Sequence, residues 1–177
     1  MGQNSIPGIL TKIKGRVLDK LNLEFGNLVK ENEGNEYLAY RFELNKRKVI
    51  FRNAKITPTK IGQFVTLWKR NERGLTQPYE LSDDLDLVII NTEFENRTGQ
   101  FIFPKSVLLN QGIISGSLKQ GKRGIRVYPC WDTTNNKQAE KTQKWQLEYF
   151  LDISQENDIN LDRAERLYFQ DSPQLNK

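Results

Sequence analysis

Short apolar runs separated by turn residues constrain this chain most. YRFEL (Tyr40–Leu44), KVIFRNAKI (Lys48–Ile56), GQFVTLW (Gly62–Trp68), LDLVII (Leu85–Ile90) and GQFIF (Gly99–Phe103) follow one another along its middle. Runs of this length, rich in β-branched and aromatic side chains, read as strands. Leu44-Asn45-Lys46-Arg47-Lys48 supplies a turn between the first two, which predicts a hairpin, and Pro58 separates the second run from the third. IRVYP, after the turn GSLKQGKRG (Gly116–Gly124), reads as a further strand.

Helical signals flank these runs. Ser5 is placed to cap a helix with Pro7 in its first turn, and Leu10, Ile13, Val17 and Leu21 recur at helical spacing. Residues 31–35 read as a polar loop, and Pro104 opens a short helix over KSVLLN. Thr133 or Thr134 is expected to cap a helix running to Asp152, with Trp145, Leu147, Tyr149, Phe150 and Leu151 providing burial. A last amphipathic segment, Leu161 to Phe169, ends in a polar tail. Helix, antiparallel strands, short helix, strand and helix predict an α/β (α+β) layer fold: a single mixed sheet flanked by helices. With 177 residues the chain can bury its own core. We expect a domain over residues 1–152 and an acidic helical appendage and tail over 153–177.

Composition excludes much chemistry. There is no histidine and one cysteine, Cys130. Ser-His-Asp and Cys-His catalysis, imidazole acid–base work, His-ligated metals and thiolate zinc or iron–sulfur sites are therefore out. Carboxylate chemistry with a hard cation such as Mg²⁺ survives, or no catalysis. No apolar run reaches membrane-spanning length and MGQNSIPG lacks a signal-peptide pattern, so no membrane partner is expected. The lone thiol fits a reducing cytoplasm.

The charge, net +5, is segregated. From Glu43 to Glu72 the chain carries Lys46, Arg47, Lys48, Arg52, Lys55, Lys60, Lys69 and Arg70 with no acid between them. A second acid-free window, Asn96 to Trp131, holds Arg97, Lys105, Lys119, Lys122, Arg123 and Arg126. Acids crowd into Glu80–Glu95 and the segment after Asp152. Such windows suit a face built for an anion, or merely solvated sheet edges. Trp68, Tyr128 and Trp131 stand at strand ends beside cations, where rings can stack on bases while Lys and Arg hold phosphates, or can simply join the core. Pro58 and Gly62 bracket a loop whose backbone and Lys60 could cradle a phosphate, or a plain connector. GSLKQGK resembles a phosphate-binding loop, but Arg123 stands where a hydroxyl must hold Mg²⁺ and the segment precedes a strand, so it reads as a basic turn. Cys130 has no base beside it and reads as a small buried or semi-buried thiol rather than a nucleophile.

The strings KITPTKIGQFVTLWKR, GQFIFPKSVL, GIRVYPCWD and TQKWQLEYF together resemble the MepB-like family of small bacterial proteins, over roughly Asn35 to Leu151. That resemblance implies a fold similar to the restriction-endonuclease-like (PD-(D/E)XK) group, but no chemistry. Nucleases of that group use an acid opening one strand and an acid-x-Lys on the next, around Mg²⁺. Asp86 opens LDLVII and Lys105 ends GQFIFPK, but Phe103 stands where the second acid belongs. Glu43 on a neighbouring strand is the candidate for a displaced acid. The expectation is a module that binds DNA or RNA through Lys55, Lys60, Lys69, Arg70, Lys105, Arg123, Arg126, Trp68, Tyr128 and Trp131. It takes no metal or other cofactor. The alternatives are a Mg²⁺-dependent nuclease using Asp86 and Glu43, or an adaptor for an acidic protein partner.

Overall fold

The computed structural model of the chain describes residues 6–171. Helix α1, Gly8–Ile13, widens into a π-helical segment, Lys14–Leu18, and buries Leu10, Ile13, Val17 and Leu18. Pro7 precedes it, and the Ser5 cap lies outside the described residues. Strands β1 (Phe25–Lys30), β2 (Tyr40–Leu44) and β3 (Arg47–Asn53) form an antiparallel meander. The β2–β3 turn sets Asn45 at φ 49° and Lys46 at φ 66°, the left-handed pair that a two-residue hairpin requires. The chain then leaves the sheet through β4 (Lys55–Ile56), β5 (Gln63–Thr66), β6 (Lys69–Arg70) and β7 (Thr76–Gln77). It returns as β8 (Leu87–Phe94), parallel to β3, and turns back antiparallel as β9 (Arg97–Pro104).

Helix α2 (Lys105–Asn110), β10 (Gly124–Val127), α3 (Lys137–Gln146), β11 (Phe150–Asp152) and α4 (Leu161–Phe169) complete the chain. The main sheet has the order β1-β2-β3-β8-β9-β11, and its parallel β3–β8 pair makes it mixed. A second sheet, β10-β5-β4, is antiparallel. The long helix stops at Gln146, because Phe150–Asp152 pairs with β9 as an edge strand. Its cap is Asn136, whose side chain accepts from the Ala139 N–H, rather than Thr133 or Thr134.

Both faces of the main sheet are covered, which is why β8 and β9 are apolar without alternation. Phe51, Leu87, Ile89 and Ile102 point to one side, where α1 and α4 pack. Ile50, Val88, Ile90, Phe101 and Phe103 point to the other, under the small sheet and beside α2 and α3. Each such side chain stabilises the fold by about 1.5–3 kcal/mol on burial. The segment after Asp152 enters the first core through Ile153, Ile159, Ala164, Leu167 and Tyr168. The buried Tyr168 hydroxyl donates to Gln100 on β9. Arg163 binds the carbonyls of Phe150 (2.8 Å) and Leu147 (2.8 Å).

A candidate anion-binding cleft

The outer face of the small sheet carries one cross-strand row, Lys55 on β4, Phe64 on β5 and Arg126 on β10. Alternation forces this. Val65, Ile125 and Val127 point inward and are buried, so Phe64 and Arg126 face out. The Tyr37 ring closes one end, edge-on to Phe64 at 6.3 Å and 5.3 Å from the Lys55 ammonium. Arg126 is held in place, donating to the Thr57 hydroxyl (3.1 Å) and the Gly62 carbonyl (3.2 Å), with its guanidinium 5.9 Å above the Phe64 ring. Gly62 has φ +83°, and an added Cβ would meet the Tyr128 ring at 2.7 Å, so only glycine fits this turn.

Between this sheet and α3 lies a cleft of about 660 Å³. Lys60, Lys122 and Arg126 line it with the Phe64 and Tyr128 rings, and no Asp or Glu is among its lining residues. Gln146 forms its inner wall and is tied to the backbone, accepting from the Tyr128 N–H (2.9 Å) and donating to the Arg126 carbonyl (3.0 Å). The loop expected to cradle a phosphate thus meets β10, and Lys60, Arg126 and Tyr128 come together from separate stretches of sequence. Lys122 completes the group; it lay within the second acid-free window.

Trp68, Lys69 and Arg70 go elsewhere, to a second cleft of about 990 Å³ lined also by residues of β1, β2 and β3. The absence of acids along the first window fails in space. Lys69 contacts Asp83 (2.6 Å) and Glu80 (3.0 Å), and Arg70 makes a forked contact with Glu33 (2.6 Å) while lying 5.3 Å over the Trp68 ring. Burial opposes the Lys69 charge, but its hydrogen bonds to Asp83 and Glu80 outweigh this and hold its pKa above the usual lysine value. Glu33 does the same for Arg70. Lys55 has an exposed partner in Glu36 at 3.2 Å, a contact of little strength.

The floor of this second cleft was not read from the sequence. Arg52, buried on β3, and Arg41 on β2 share the Glu31 carboxylate at 2.7 and 2.5 Å, and Arg41 also reaches the Tyr79 hydroxyl (3.1 Å). The available signal was an arginine inside an apolar strand, which must find an anion when buried.

Lys105 lies apart, donating to the Asp83 carbonyl (2.6 Å). Arg123 is exposed beyond the start of β10, 3.4 Å from the Thr76 hydroxyl. Trp131 packs edge-on to Phe150 at 5.7 Å, against the core rather than on the rim. Asp86 accepts from the Lys48 N–H (2.7 Å), while Glu43 is taken by Lys48 and by Asn27 (2.9 Å). Among the described residues no three Asp, Glu, Cys or His side chains form a group able to hold a metal ion. Cys130 is exposed rather than buried or semi-buried as expected, but desolvation by the neighbouring chain still raises its thiol pKa, which disfavours the nucleophilic thiolate.

Fold and cleft together define a small mixed-sheet α+β protein with an acid-free basic groove. A family model described as MepB-like matches residues 31–152, and a crystal structure of MepB is similar at 34% identity, covering 85% of this chain and 99% of that one with a TM-score of 0.74. The chain belongs to the MepB-like family. The bacterial homing endonuclease I-Ssp6803I aligns at 15% identity over 82% of this chain and 93% of its own, with a TM-score of 0.42, too distant to bear on function. No curated protein matches the chain. No helix among the described residues is long and apolar enough to cross a membrane.

Proposed function

We propose that the chain binds nucleic acid, with Lys60, Lys122 and Arg126 holding phosphates along the cleft between the small sheet and α3. The observation that carries this reading is a difference between the two acid-free windows. Lys48, Arg52, Lys55, Lys69 and Arg70 of the first window are paired with carboxylates, while Arg47 is spent on the carbonyls of Tyr168 and Gln170 and Lys46 of the β2–β3 turn forms no ion pair among the described residues. Among the described residues Arg97, Lys105, Lys119, Lys122, Arg123 and Arg126 of the second form no ion pair, and neither does Lys60, which joins them at the cleft. Unneutralised cations around an acid-free groove attract a polyanion and gain from the counterions it releases. The Phe64 and Tyr128 rings offer stacking surfaces between them. Of the residues expected to serve, Lys69, Arg70 and Trp68 are assigned instead to the paired cleft, and Trp131 to the core.

Fluorescence anisotropy with labelled single-stranded DNA, duplex DNA and RNA at low salt tests this. Binding that weakens steeply with added salt is expected. No binding to any of the three would discard the reading in favour of an acidic protein partner.

A further inference from the structure

We infer that the cleft between the small sheet and α3 takes one unpaired nucleotide, its base against the Phe64 and Tyr128 rings and its phosphate among Lys60, Lys122 and Arg126. This rests on the reading above and names what the site accepts. Size is the first argument. About 660 Å³ lies in the range of small-ligand sites, roughly 300–1,000 Å³, whereas a duplex presents a convex cylinder that such a concavity cannot admit.

Chemistry is the second. A simple phosphate cradle needs cations and N–H groups, and has no use for rings. Here Phe64, Tyr128 and Trp145 all border the cleft, half-buried, with the Gly62 turn fitted closely against Tyr128. The third argument is the supply of polar groups. Gln146 is already tied to the backbone through both its oxygen and its nitrogen, but among the described residues the side chains of Gln111, Gln138 and Thr142, also on the cleft wall, make no hydrogen bond to the protein. Amides bear both donors and acceptors, which suits the mixed edge of a base. Cations, rings and open amides are the parts that single-strand recognition combines, and a splayed-out base is what they can hold.

The test is isothermal titration of the full chain with adenosine 5′-monophosphate, uridine 5′-monophosphate, adenosine and inorganic phosphate, beside labelled single-stranded and duplex DNA. Both nucleotides are expected to bind at least tenfold more tightly than phosphate or adenosine, and single-stranded DNA more tightly than duplex. Tyr128→Ala and Lys60→Ala are each expected to weaken nucleotide binding about tenfold or more. Should Tyr128→Ala fail to fold, Gln138→Ala, at an exposed position, is expected to weaken it severalfold. Phosphate binding as tightly as the nucleotides would reduce the cleft to an anion cradle and overturn the inference. So would nucleotides that do not bind while DNA does, an outcome that leaves the nucleic-acid reading intact. Nucleotide binding without DNA binding would do the reverse.

Discussion

Arg52 shows how strongly one residue can bind a fold to its electrostatics. Its guanidinium is almost wholly buried and takes Glu31 as counter-charge, while Glu31 keeps some contact with solvent. Removing the acid strands a buried cation, so Glu31→Ala is expected to destabilise by roughly 3–5 kcal/mol. Arg52→Met removes the charge and its requirement together, and denaturant unfolding should show a smaller loss. The opposite ranking would mean that Arg52 gains more from packing than from its pair. Asp132 makes a second residue-level case. Burial raises its carboxyl pKa although the Gly62 N–H works in the other direction. The folded state therefore keeps this proton at pH values where the unfolded chain, near 3.9, has lost it. Stability from this group declines as pH rises through that window. Asp132→Asn is expected to raise the melting temperature at pH 7 and leave it nearly unchanged at pH 3.5. A lower melting temperature at pH 7 would refute this.

At the scale of elements, α3 backs the cleft and begins at Asn136. Losing a side-chain cap of this kind costs about 0.5–2 kcal/mol, so Asn136→Ala should lower thermal stability by that amount. Thr133, Thr134, Asn135 and Asn136 are four capping-competent residues in succession, and composition cannot choose among them. The hairpin, β5, β8, β9, α2 and α4 were legible because turn chemistry and apolar runs agree there. β11 was hidden for a tertiary reason. Trp145 to Leu151 is apolar enough to continue a helix, and only the open edge of β9 draws Phe150–Asp152 into the sheet. β1 was hidden locally, since Gly26 and Asn27 are poor strand residues and Asn27, at φ 54°, sits in an irregularity of the β1–β2 register.

At the scale of the whole molecule, charge is arranged in two layers that the linear sequence does not separate. Both acid-free windows look alike as text, yet Glu31, Glu33, Glu36, Glu80 and Asp83 reach the first window from outside it. Glu31 reaches Arg52 across the β1-β2-β3 meander, and Glu33 and Glu36 reach Arg70 and Lys55 on the excursion that follows β3, pairings that no local pattern encodes. The second window, and Lys60 of the first, keep their charge, while Lys69 and Arg70 lose theirs to acids that stand outside the window in sequence. The most direct test of this division is the salt dependence of DNA affinity in three proteins: wild type, Lys60→Ala/Lys122→Ala and Lys69→Ala. Each lost phosphate contact removes about 0.7–0.9 from the log–log slope. The double variant is expected to lose roughly one to two units of slope, and Lys69→Ala none. A slope unchanged in the double variant, or lowered as much by Lys69→Ala, would contradict the assignment of binding to the acid-free cleft.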